Sequence, residues 1–126
     1  MTVLICLILQ EIFGLTFGSS NLIHLGYLTG SEQPGLLYYR RPGQTISGAL
    51  TFALDQINSN SNILPHHKLD IISAETYGRE SESIRKTVEL LKYNISVYLG
   101  PQETCIHEGR IAASFNIPMI SYVSIL

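Results

Sequence analysis

The stretch LGPQETCIHEGRIAASFNIPMISY, residues 99–122, decides the fold because it encodes the end of a strand, a turn, a helix and a second strand. Gly100-Pro101 stops the apolar run at 97–99, since proline cannot donate a hydrogen bond to a sheet and glycine bends freely. Residues 102–104 open the helix, with Thr104 placed to cap it. The helix ends near Asn116, because residues before a proline avoid the helical region. The stretch therefore predicts a strand-helix-strand unit.

The start of this predicted helix is also a candidate binding site. Backbone N–H groups around Glu103, Thr104 and Cys105 can donate hydrogen bonds to an anionic or carbonyl group and form a natural site for one. A capped helix without any ligand explains the same residues equally well. Both interpretations stay open at this point.

The rest of the chain alternates strands and helices. Apolar runs predict strands at 22–28 and 68–75, and the segment 81–93 has a helical pattern. In the helix that starts at Thr45 or Ser47, residues Ile46, Leu50, Leu54 and Ile57 form one apolar stripe. The order β-α-β-α-β-α-β predicts an α/β fold with a parallel, doubly wound (Rossmann-like) sheet and right-handed crossovers.

Ligands of such sheets bind beyond the carboxyl ends of the strands, where the strand order reverses. In this chain those ends are the loops 29–32, 76–78 and 100–105. The side chains proposed for ligand binding are Thr29, Ser31, Tyr77, Glu103, Thr104 and Cys105.

Composition limits the partners and the compartment. The chain has 126 residues, 45% of them hydrophobic, and a net charge of −2 without a basic cluster, so no nucleic-acid partner is expected. Residues 1–20 resemble a secretory signal peptide, with cleavage near Ser20, and residues 21–126 form the domain. An ordinary first strand or helix is the alternative for residues 1–20. Asn94 opens an Asn-Ile-Ser sequon, a candidate N-glycosylation site that agrees with an extracellular location.

Catalytic and metal-binding motifs are incomplete. The glycine spacing at 43–48 resembles a phosphate-binding loop, but Ala49 and Leu50 replace its Lys and Ser/Thr. His107-Glu108 begins like a zinc-protease helix, but Ile111 takes the place of the second histidine, so we expect a polar helix surface there. We expect neither metal, cofactor nor enzymatic activity from this chain.

Isolated carboxylates are the remaining candidates for acid–base chemistry. Glu75, Glu103 and Glu108 are scattered in sequence. Such groups in an α/β domain are usually solvated or cap a backbone end, and we expect that here.

Five motifs together resemble the extracellular ligand-binding region of receptor guanylate cyclases, particularly the invertebrate membrane type. They are GYLTGS (26–31), ISGALTFALDQIN (46–58), NILPHHKLD (62–70), AETYGRESESIR (74–85) and the stretch at 99–122. Natriuretic peptide receptors and metabotropic glutamate receptors share the same type 1 periplasmic-binding-protein fold.

The resemblance implies a two-lobed ectodomain that binds an extracellular ligand, often a peptide, as a possible homodimer, and controls cyclic GMP synthesis through a membrane helix and an intracellular cyclase. This chain corresponds to a truncated part of the first lobe, so the membrane and the cyclase concern only the parent receptor. Similar receptors place a cysteine soon after the motif that ends at Tyr122. Val123 and Ser124 stand there instead. Cys105 is therefore a disulfide candidate whose partner is absent from this chain.

Three alternatives remain. In the first, the chain is a lobe of a solute-binding protein or glutamate-type receptor, with a small carboxylate ligand at Thr104 and the neighbouring amides. In the second, it is a secreted decoy or dimerisation partner that produces no signal of its own. The third, a small α/β hydrolase-like domain, ranks last because a fold alone does not confer activity.

Overall fold

The computed structural model describes residues 21–31, 42–101 and 105–121. The predicted signal peptide, Glu103 and Thr104 lie outside these residues. The elements, in chain order, are β1 (Asn21–Thr29), α1 (Pro42–Ser59), β2 (His67–Glu75), α2 (Glu80–Leu90), a 3₁₀ turn (Leu91–Tyr93), β3 (Ile95–Leu99), α3 (Ile106–Ser114) and β4 (Met119–Ile120).

The sheet confirms the predicted fold class. Its strand order is β2-β1-β3-β4 and every pair is parallel. Helices cover both faces of β1, because the Tyr27 hydroxyl lies 3.3 Å from Ser47 Oγ of α1, whereas Leu28 joins the apolar cluster of Leu90 and Ala112 from α2 and α3. The chain runs from β1 to β2 on one side and then to β3 on the other, so the strand order reverses between β1 and β3.

Several element boundaries differ from the predictions. Helix α1 begins at Pro42, a few residues early, because proline fits the first turn of a helix, where its missing N–H costs nothing. Strand β3 begins at Ile95, and the second helix ends at Leu90, followed by the 3₁₀ turn.

The capping role predicted for Thr104 stays a prediction, because this residue lies outside the described part of the chain. Helix α3 begins at Ile106 with Cys105 at the N-cap position, and the Gly109 N–H donates to the Cys105 carbonyl at 2.8 Å. At the other end, Asn116 has a left-handed backbone (φ 58°), and the Ile117 N–H donates to the Ala112 carbonyl at 2.9 Å. That pair of features is a Schellman-type helix end, and it agrees with the predicted stop near Asn116.

The core is organised around Tyr98 of β3. Its side chain is fully buried, and its hydroxyl donates a hydrogen bond of 2.7 Å to the Thr87 carbonyl of α2. The ring lies so close to β1 that a Cβ atom added to Gly26 would come within 3.0 Å of Tyr98 Cδ1. A glycine at position 26 therefore lets the ring pack onto the neighbouring strand.

We expect Tyr98→Phe to lower the free energy of unfolding by about 1 kcal/mol, because the ring packing stays while one buried hydrogen bond is lost. Tyr93→Phe is the matched control, since Tyr93 is exposed in the 3₁₀ turn. Urea unfolding followed by circular dichroism measures both variants. Equal stability of the two variants would contradict the role given to the Tyr98 hydroxyl.

The pH dependence of stability checks the same contact. Burial raises the pKa of Tyr98 above its ordinary value of 10.0. The folded chain therefore holds the phenolic proton more tightly than the unfolded chain, and stability falls as the pH rises above about 10. The Tyr98→Phe variant lacks this group, so its stability falls less over the same pH range.

Candidate functional site

Glu75 ties together the ends of β1 and β2 at the carboxyl edge of the sheet. Its carboxylate accepts the Ser31 N–H at 3.2 Å on Oε1 and 3.1 Å on Oε2, and it also accepts the Ser31 hydroxyl. The Tyr77 N–H donates to Glu75 Oε1 at 2.7 Å. A carboxylate suits this place because it only accepts hydrogen bonds and each of these partners donates one.

Thr76 makes a second connection between the same strands. It is fully buried, and both its N–H (2.8 Å) and its hydroxyl (3.2 Å) donate to the Thr29 carbonyl. The backbone then turns through left-handed conformations at Tyr77 (φ 55°) and Gly78 (φ 63°). The Arg79 N–H closes the turn on the Thr76 carbonyl at 3.0 Å, so the chain enters α2 in a fixed direction.

The first turn of α1 packs directly onto the end of β1. A Cβ atom on Gly43 would collide with the Thr29 hydroxyl and come within 3.2 Å of the Ser31 nitrogen. Only 7% of Thr29 is exposed, so this predicted ligand-binding residue lies beneath the edge. Ser31 and Tyr77 are half-buried and lie at its surface.

The other half of the edge follows β3 and β4. The Gly100 N–H donates to the Ile120 carbonyl at 2.8 Å, and the Ser121 hydroxyl donates to the Pro101 carbonyl at 3.2 Å. Cys105 is half-buried at the start of α3. The structure thus brings Ser31 and Tyr77 together through Glu75 and places Cys105 beyond the neighbouring strand.

The sequence indicated the surroundings of Glu75 correctly and those of Glu108 incorrectly. Glu75 caps backbone N–H groups, which agrees with the expectation for isolated carboxylates. Glu108 does not form the expected polar surface, because it is fully buried and both carboxylate oxygens lack a hydrogen-bond partner among the described residues. Its neighbour His107 is exposed and lies 3.1 Å from Glu80 of α2.

A cavity of about 230 Å³ lies between α1 and the strands β1 and β2. Its lining includes Tyr27, Ser47, Leu50 and Ile71. Within the described ranges there is no group of three or more histidine, cysteine or acidic residues able to hold a metal ion. No helix in this part of the chain is long and apolar enough to cross a bilayer.

The architecture matches that of type 1 periplasmic binding proteins. A crystal structure of LivJ, a branched-chain amino acid transporter substrate-binding protein of Streptococcus pneumoniae in complex with isoleucine, superimposes with a TM-score of 0.71. The match covers 84% of this chain and 30% of LivJ at 17% sequence identity, so it shows a shared fold.

A family model described as the receptor family ligand binding region matches residues 45–125. The chain belongs to this receptor family, and the matched part is the ligand-binding region, not a catalytic domain.

Its relatives include receptor cyclases. The chain is 39% identical over 102 residues to receptor-type guanylate cyclase Gyc76C of Drosophila melanogaster, and 28% identical over 99 residues to guanylate cyclase 32E of the same organism. It is 31% identical over 105 residues to the speract receptor of Strongylocentrotus purpuratus. These matches cover 81%, 75% and 80% of this chain but only 6%, 8% and 9% of the relatives. The chain therefore spans less than a tenth of each relative's length.

We expect Glu75→Gln to lower the free energy of unfolding by about 1 to 2 kcal/mol, because an amide group would face donors that need an acceptor. Asp55→Asn is the control, since Asp55 is exposed on α1. Urea midpoints measure the change, with an unchanged slope indicating an unaltered fold. A Glu75→Gln midpoint equal to that of the control would refute the role of Glu75 in joining the strand ends.

Proposed function

We propose that this chain forms part of the N-terminal lobe of a receptor guanylate cyclase ectodomain, and that an extracellular ligand bound by the full-length receptor controls cyclic GMP synthesis. The observation that carries this proposal is the 39% identity to Gyc76C across 102 residues. The likeness to LivJ concerns the fold alone, so isoleucine has no part in the proposal.

The carboxyl edge is the part of the lobe that suits ligand binding. Strand order reverses between β1 and β3, and ligands of doubly wound sheets bind beyond the strands at that point. Ser31 and Tyr77 on one side and Cys105 on the other flank this position, and Glu103 and Thr104 stay predicted ligand-binding residues. In the parent receptor a second lobe closes over this edge, as two-lobed binding proteins do around their ligands.

The ligand class, assembly and cellular route belong to the same proposal. A peptide is the ligand class favoured by the receptor resemblance, and the full-length receptor acts as a homodimer at the cell surface. Residues 1–20 direct the chain into the secretory pathway, and Asn94 carries a glycan. Cys105 forms a disulfide with a cysteine outside this chain.

A chimeric receptor tests the proposal. Residues 22–121 replace the matching segment of the speract receptor, and cells that express the chimera are treated with speract while cyclic GMP is measured. We expect the chimera to reach the cell surface and to raise cyclic GMP in response, because the grafted segment supplies an equivalent part of the lobe.

The same chimera carrying Glu75→Gln should respond less, since the edge loses its tie between the two strand ends. The chimera carrying Asp55→Asn should respond like the parent chimera. A chimera that reaches the surface in normal amounts and gives no cyclic GMP response to speract would contradict the proposed function.

Glycosylation offers a separate check of the secretory route. Asn94 is exposed and has a left-handed backbone (φ 54°), so Ser96→Ala removes the sequon without disturbing the residue that makes the turn. We expect glycosidase treatment to reduce the mass of the secreted parent chain but not that of the secreted Ser96→Ala variant. Ser114→Ala, at an exposed position outside any sequon, should keep the shift. A secreted chain without any glycan at Asn94 would show this part of the proposal to be wrong.

A further inference from the structure

The contact between α2 and α3 has an apolar end and a polar end. Leu90 of α2 and Ala112 of α3 both belong to the apolar cluster around Tyr98. Toward the helix starts, the buried residues of these two helices are instead Ser83 and Glu108, which are 2% and 0% exposed. The polar end therefore lies next to the carboxyl edge of the sheet.

The register of the two helices places Ser83 and Glu108 near the same end of this contact. His107 Nε2 lies 3.1 Å from Glu80 Oε1, so the first turns of the two helices are in register. Ser83 follows Glu80 by one helical turn and shares a buried face with Thr87 and Leu90. Glu108 lies one turn before Ala112 on the buried face of α3. Both side chains thus point into the contact near its start.

Within the described part of the chain, neither polar side chain has a hydrogen-bond partner. The Ser83 hydroxyl and both carboxylate oxygens of Glu108 are buried and form no hydrogen bond, either with each other or with another described group. Most buried polar groups in native proteins are hydrogen-bonded to protein or to ordered water. The positive end of α3 favours a carboxylate in its first turn, but it does not supply the missing hydrogen bonds.

We propose that Ser83 and Glu108 form a binding site for an internal water molecule that bridges α2 and α3. A carboxylate only accepts hydrogen bonds, so it needs a donor, and a hydroxyl both donates and accepts. One water molecule can serve both groups, because it can donate a hydrogen bond to the Glu108 carboxylate and either accept one from the Ser83 hydroxyl or donate one to it. The bridge fixes the first turn of α3 and with it the position of Cys105 at the candidate ligand edge.

A double-mutant cycle on the full chain tests the bridge through Ser83→Ala, Glu108→Met and the double variant. We expect each single change to raise the unfolding equilibrium constant about tenfold, because each removes one side of a buried hydrogen-bonded bridge. The double variant should be about as stable as either single variant, roughly tenfold worse than the parent instead of the roughly hundredfold that additivity gives, since the second change removes a group that has already lost its water. Glu108→Gln should stay near the parent, because an amide still binds water.

Three results would overturn the proposal. Glu108→Met that stabilises the chain would mean that the carboxylate is merely buried without a ligand. Strict additivity in the cycle would mean that the two groups share nothing. A melting temperature that depends on whether sodium, calcium or choline is the cation would identify a cation as the occupant. The exposed Ser114→Ala change on α3 is the matched control and should have no effect.

Nuclear magnetic resonance gives a readout that does not depend on variant stability. We expect nuclear Overhauser contacts between a long-lived water and the side-chain protons of Ser83 and Glu108 in the unmodified chain. Their absence in a folded, assigned sample would also overturn the proposal.

Discussion

The rest of the structure depends on the close approach of β1 and β3 at Gly26 and Tyr98. The ring of Tyr98 can lie on β1 only because residue 26 has no side chain. Its hydroxyl then reaches the Thr87 carbonyl and sets the distance of α2 from the sheet. Because β1 pairs with strands on both sides, this one contact orients the central strand, its neighbour and the helix above them. The cluster that holds α3 forms around the same ring.

The carboxyl edge is held in place by hydrogen bonds that continue directly from this core. Thr29 leaves β1 directly after the buried Leu28, and its carbonyl is taken by Thr76, while Glu75 takes the backbone N–H groups of Ser31 and Tyr77. Many of the polar groups of this edge are thus used to hold the edge itself. An edge held in this way keeps its shape. If the proposed function is right, the movement that accompanies ligand binding would therefore belong to the opposing lobe and to the loops whose side chains take no part in these hydrogen bonds.

The sequence predicted the order of elements and the edge where the loops meet, because hydrophobic periodicity and the proline and glycine stops are local signals. It did not predict the helix starts, since Pro42 fits a loop and a first helical turn equally well. Local sequence signals could not predict which residues surround the carboxylates. Glu75 meets Ser31, which is distant in sequence, and the burial of Glu108 depends on how α2 packs against α3. The position of Glu108 one turn before Ala112, on the same face of the helix, was the only local signal for its burial.

The α2–α3 contact changes from apolar buried residues near the core to polar buried residues near the carboxyl edge. Apolar burial gives strong, non-directional stabilisation at the Leu90 end, whereas the water bridge proposed at the Ser83 end would contribute less net free energy. Local opening of a native protein starts where apolar contacts are fewest. The first turn of α3 is therefore the part of this contact that opens most easily, and it is also the part that carries Cys105 to the edge. Binding regions need such low-stability segments beside a rigid core, and this lobe places the two within a few helical turns of each other.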